Sequence, residues 1–158
     1  MTSPISPPNE TQRMDAVRRY DILDTPPDGA FERVTAIAAR RFRAPIAIIS
    51  IVDHDRIWFK SHYGVDVPQV GRDLGLCASV ILKGEPHVLV DASKDLVAMA
   101  NPLVAGEFGL RFYAGVPLRT HDGFDLGTLC VLDKEAREVS NDEIADLEDL
   151  ASGLPRLI

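Results

Sequence analysis

The chain has 158 residues, 46% of them hydrophobic and 26% charged, which is enough for one substantial core and too little for two. Its 24 acidic side chains outnumber 17 basic ones for a formal charge of −7, so phosphate backbones and anionic lipid are repelled and nucleic acid is not an expected partner. No apolar run approaches the roughly 18 residues of a membrane span. The opening MTSPISPPNE has neither the basic start nor the apolar centre of a secretion signal, so a cytoplasmic protein without a membrane partner is expected.

Residues 1–8 hold three prolines and two serines and are expected to form a flexible N-terminal arm, with 9–158 as a single domain. Asn9 and Gln12 have capping-box spacing, and Thr25, followed by Pro26 and Asp28, is a stronger helix start. Helices are predicted over 10–20 and 26–42. In the second, Phe31, Val34, Ile37, Ala38 and Phe42 line one face, and Arg40, Arg41 and Arg43 collect at the negative helix end as a solvated cap. After Pro45 the β-branched IAIISIVD turns through DHDR into RIWFKSHYG, a hairpin with strands at 46–52 and 56–62. LCASVILK reads as a helix closed by Gly84, HVLVD as a short strand, and RFYAGVPL and FDLGTLCVLD as a second hairpin across RTHDG.

Ser140 with Glu143 caps a closing helix, NDEIADLEDLASG. Its stripe of Ile144, Leu147, Ala151, Leu154 and Ile158 has the spacing of a coiled-coil seam and equally that of a helix packed on a sheet. Short turns between neighbouring strands argue for an α+β fold with an antiparallel sheet, one face covered by helices from both chain ends.

Two connections are longer than a compact domain needs, Gly64 to Leu74 and the segment over 91–110. Folded over the other face, they would enclose a space for a small molecule. Strand alternation turns Phe112, Ala114 and Val116 toward the helices and Arg111 and Tyr113 toward that space. Trp58 or Phe59, Cys77, Asp91 and Asn101 would surround it with them.

Several chemistries lack their residues. There is no Walker lysine, no GxGxxG and no G-x-S-x-G, the histidines are scattered, and neither cysteine belongs to a CxxC. Asp53, Asp55, Asp122 and Asp133 fall at turns or strand ends, where bonds to nearby backbone N–H groups explain them. Cys77 and Cys130 read as reduced, buried thiols, and the sequence leaves open whether they meet. Cys77 has two readings: a wall residue in an apolar surround, or a thiolate favoured by a helix start and Arg72.

Taken in order, NETQR, YDILDTPPDGAFERVTAIAARRF, PIAIISIVDHDRIWFKSHYGV, GRDLGLCASVI, DASKD, NPLVAGEFGLRFYAGVPL and LGTLCVLD resemble the GAF domain family, as found in front of bacterial histidine kinases and diguanylate cyclases. The resemblance covers about residues 9 to 152. It implies a profilin-like antiparallel sheet with terminal helices on one face and a covered small-molecule pocket on the other, cytoplasmic signal transduction, and a homodimer formed through the end helices. The function implied is non-enzymatic sensing, with Trp58, Phe59, Cys77, Asp91, Asn101, Arg111 and Tyr113 as ligand-binding candidates. Without an output domain after residue 158, the chain is read as a single-domain sensor with a separate effector or as a fragment.

The alternative is a thiol oxidoreductase of the free methionine-(R)-sulfoxide reductase type, acting through Cys77. That family's other cysteines have no counterpart in YGVDVPQVGRD or VAMANPLVAGE. Bilin-binding GAF domains commonly place histidine after the attachment cysteine, whereas Ala78 follows Cys77 and Val131 follows Cys130. The phosphodiesterase cyclic-nucleotide signature is absent too. No covalent or metal cofactor is therefore expected.

Overall fold

A computed structural model describes residues 7–72, 76–95 and 98–157. Helices α1 (Glu10–Tyr20) and α2 (Gly29–Phe42) lead into β1 (Ile46–Val52), β2 (Arg56–Tyr63) and β3 (Gln69–Gly71). Then come α3 (Cys77–Lys83), β4 (His87–Leu89), the short α4 (Pro102–Ala105), β5 (Phe112–Arg119), β6 (Asp125–Asp133) and α5 (Asn141–Ser152). The strands form one six-stranded antiparallel sheet in the order β3-β2-β1-β6-β5-β4.

The two hairpins stand where β-branched runs and turn residues put them. Beyond expectation, the first long connection adds an edge strand, β3, whose Val70 pairs with Ile57. The second winds into 3-10 turns at Ala92–Lys94 and Ala98–Ala100 before α4. Such local bonding satisfies backbone groups that a covering segment cannot leave bare.

Two helix starts differ from the sequence reading. Asn9 adopts φ −96 and ψ 25 and makes no side-chain cap bond, because its backbone is not extended enough to aim the amide at the first turn. Helix α2 begins at Gly29 instead of 26: Asp28 accepts from the Ala30 N–H, while the Thr25 hydroxyl donates to the Ile22 carbonyl and accepts from Lys60 Nζ. Nor is the basic end of α2 merely solvated, since Arg41 Nε donates to Asp146 of α5 at 2.7 Å. Of the expected arm, residues 1–6 lie outside the described residues, and Pro7 is buried.

Each strand face has its own core. Ala47, Ile49, Ile51, Leu129, Val131, Phe112, Ala114 and Val116 face α1, α2 and α5. Ile46, Ile48, Val52, Cys130, Leu132 and Tyr113 face α3 and the segment over 91–110. The stripe on α5 is consumed by the first core, with Leu147, Ala151 and Leu154 each at most 2% exposed, so those positions serve sheet packing rather than a seam. Ile158 of that stripe is outside the described residues.

Candidate functional site

The loop-side core contains a cavity of about 50 Å³ lined by Ile48, Ile57, Phe59, Val70, Leu76, Cys77, Leu103, Tyr113, Cys130 and Leu132. The volume is far below the roughly 300 Å³ at which small-molecule pockets begin. Three sequence candidates meet here: Phe59, Cys77 and Tyr113.

The other four stand elsewhere. Trp58 precedes Phe59 on β2, so the two-residue pleat turns it to the opposite face, where it joins the helix-side core. Asp91 accepts from the Ser93 N–H and hydroxyl, which with a small solvation cost opposing holds its carboxyl below the usual range. It borders a shallow surface depression of about 420 Å³ with Lys94, Asp95 and Ala136. Asn101 Oδ1 accepts from the Leu103 N–H and starts α4. Arg111 donates to the carbonyls of Val104 and Leu110, bracing the covering segment.

The polar content of the cavity converges on one sulfur. Cys77 Sγ accepts from Thr128 Oγ1 at 3.1 Å and from the Tyr113 hydroxyl at 3.5 Å. Ser50 Oγ lies 2.8 Å from Thr128 Oγ1. A hydroxyl has one proton, so if Thr128 spends its own on sulfur, Ser50 donates to Thr128 and a relay Ser50, Thr128, Cys77 results. Cys130 lines the same cavity as Cys77, and both cysteines are free. The two thiols left open by the sequence therefore do meet.

Electrostatics separates them. The neighbouring Cys130 side chain draws the Cys77 thiol below its ordinary value, with Thr128, Tyr113 and Ser50 assisting and burial opposing. Cys130 is pushed up by its closeness to Cys77 and by burial. Burial, then the nearby sulfurs, keeps Tyr113 a neutral phenol able to donate. Its ring also lies over Gly115, where any β-carbon would collide with the phenol.

Sequence reasoning missed Ser50 and Thr128. A signal existed: each is a polar residue inside an apolar central strand, and they are direct partners across β1 and β6. Among the described residues, one group could converge on a cation, Asp53, His54 and Asp55 in the β1–β2 turn. Asp53 is already engaged by Arg56 Nε at 3.0 Å and by the His54 N–H at 2.8 Å, the turn role expected of it.

With this geometry in place, comparison with known proteins gives the affiliation. The sequence profile of the GAF domain matches residues 26–153. The chain belongs to the GAF family. Over 152 residues, 96% of the chain, it is 40% identical to a cyclic di-GMP phosphodiesterase of Pseudomonas aeruginosa, of which it spans 26%. In fold it is similar to the GAF domain of an Acinetobacter phosphoenolpyruvate-protein phosphotransferase, with TM-score 0.70 and 20% identity over 92% of each chain. It is also similar to a type II free methionine-R-sulfoxide reductase from Thermoplasma acidophilum, with TM-score 0.68 and 15% identity over 82% of this chain and 89% of that one.

The relative corrects one expectation. This GAF domain was expected to have no enzymatic role, but the relative that matches 96% of this chain is a named enzyme, of which the match covers about a quarter. Among the described residues, no helix is long and apolar enough to cross a membrane.

Proposed function

We propose that this GAF domain controls cyclic di-GMP hydrolysis in a cytoplasmic signalling system, as the signal-receiving part of a phosphodiesterase of the matched kind. The observation that carries this reading is the 40% identity over 96% of the chain. In this reading a small molecule enters between the sheet and the covering segment, and the change reaches the terminal helices of a homodimer. The cavity of about 50 Å³ is too small for a ligand of ordinary size, so this reading requires α3 to move away from the sheet when one binds. Strands β1, β5 and β6 contribute side chains to both cores, so a displacement on the ligand side is felt by α1, α2 and α5.

The test is a graft. Deleting the matching segment of the Pseudomonas enzyme should alter its cyclic di-GMP hydrolysis, and inserting this chain there should restore the original rate. A chimera indistinguishable from the deletion would overturn the reading. Native mass spectrometry of this protein should show a dimer with retained small-molecule mass, whereas a bare monomer would remove the sensing and dimer elements.

A further inference from the structure

We infer that Cys77 and Cys130 are a dithiol site for hydrogen peroxide, in which Cys77 is oxidised first and Cys130 closes a reversible disulfide between α3 and β6. The inference concerns thiol chemistry within this chain and stands apart from any control of cyclic di-GMP.

A cysteine that only fills space needs methyl groups around it. Ile48, Ile57, Phe59, Val70 and Leu132 supply that surround here, yet two hydroxyls are also aimed at Cys77 Sγ, at 3.1 and 3.5 Å. Hydroxyl donors strengthen when their acceptor is an anion, so this arrangement favours thiolate at Cys77. Its partner is suited to the second step. Both cysteines line the cavity, and Cys77, on α3, is 7% exposed against 1% for Cys130. The two sulfurs come from elements already packed together and border the same space. A cavity of about 50 Å³ exceeds the roughly 10–15 Å³ that one water needs and has room for hydrogen peroxide, while bulky organic peroxides are too large.

The chemistry balances within the site. Cys77 thiolate attacks one peroxide oxygen, the O–O bond breaks, and the departing hydroxide takes the proton released when the thiol ionised, leaving as water. Cys77 is then a sulfenic acid. Cys130 sulfur attacks Cys77 sulfur, the S–S bond forms, the S–O bond breaks, and the second hydroxide leaves as water with the Cys130 proton. Two thiols have lost two protons and two electrons, and one peroxide has become two waters.

The experiment uses the purified, reduced chain. It is treated with one equivalent of hydrogen peroxide, unfolded in an alkylating reagent and weighed intact. The wild type should lose both alkylatable thiols and two hydrogens, yield a Cys77–Cys130 linked peptide, and recover both thiols with a reductant. Cys130→Ser should stop at a sulfenic acid on Cys77 that a dimedone probe captures, and Cys77→Ser should leave Cys130 alkylatable. Thr128→Val, which removes one donor, should slow the wild-type reaction by roughly tenfold, the scale of one lost hydrogen bond to an anion. Near-ultraviolet circular dichroism identifies any variant that fails to fold, and the wild-type arm decides regardless. Two intact thiols after excess peroxide, or oxygen addition without a linked peptide, would overturn the proposal.

Discussion

Arg13 and Arg72, 1% and 4% exposed, meet at the carboxylate of Glu10, with closest approaches of 2.8 and 2.6 Å. Their other bonds go to strand ends: Arg13 donates to the carbonyls of Val52 and Asp125, and Arg72 to that of Asp53. One acidic residue thus pins α1 across the ends of β1 and β6 and the start of the segment after β3. Burial opposes ionisation of Glu10, but hydrogen bonds from Arg13 and then Arg72 outweigh it, so its carboxyl lies below the ordinary 4.5. Glu10→Gln withdraws the countercharge from two buried guanidiniums. We expect a loss of about 3 kcal/mol at pH 7, the lower end for a broken buried pair because Glu10 is itself partly exposed. Because the folded value is depressed, this stabilisation is complete above about 4.5 and is lost as pH falls through the folded value. Urea midpoints of wild type and variant should therefore converge below pH 4.5, and a gap unchanged by acid would refute the ionic account.

At the scale of the element, three helix starts carry similar capping signals and only one behaves as its spacing implies. Ser140 accepts from the Glu143 N–H at 3.1 Å while Glu143 returns the bond to the Ser140 N–H at 3.0 Å. Ser140→Ala removes half of this reciprocal pair from an exposed site and should cost about 1 kcal/mol, with the urea slope unchanged and recovery in Ser140→Asn. A loss below a few tenths would mean that tertiary packing alone holds α5. Asn9 and Thr25 show why such motifs mislead. Cap residues are set by local bonding, and that bonding is decided by what else reaches the hydroxyl or amide. Lys60, far along the chain, claims the Thr25 hydroxyl. The two hairpins were legible because β-branched runs between turn residues need no knowledge of partners, and once a strand is placed, its two-residue alternation gives the facing of Phe112, Tyr113 and Ala114.

For the molecule as a whole, the sheet divides the chain into two cores that share β1, β2, β5 and β6, and the candidate site belongs to the smaller. Alternation could assign residues to a face but could not bring Cys77 of α3 against Cys130, Thr128 and Ser50, because that meeting depends on register and on how α3 docks. Asp91 and Asn101 are candidates by their place in the long loop and Arg111 by strand alternation, but the covering segment's own backbone uses all three. Shared strands imply that neither core unfolds alone. Leu147, fully buried on the helix side, tests this from a distance, since it lies in the core opposite the thiols. Leu147→Ala should cost about 3 kcal/mol, within the range for a buried leucine. If the cores open together, alkylation of Cys130 in native buffer should accelerate by roughly 100-fold, the same free energy expressed as a population. If the α3 side instead opens by itself, Cys130 labelling will keep its wild-type rate while the urea midpoint falls. The first outcome makes the sheet a single mechanical unit, as transmission from the cavity to α5 requires, and the second would uncouple the site from the helix layer.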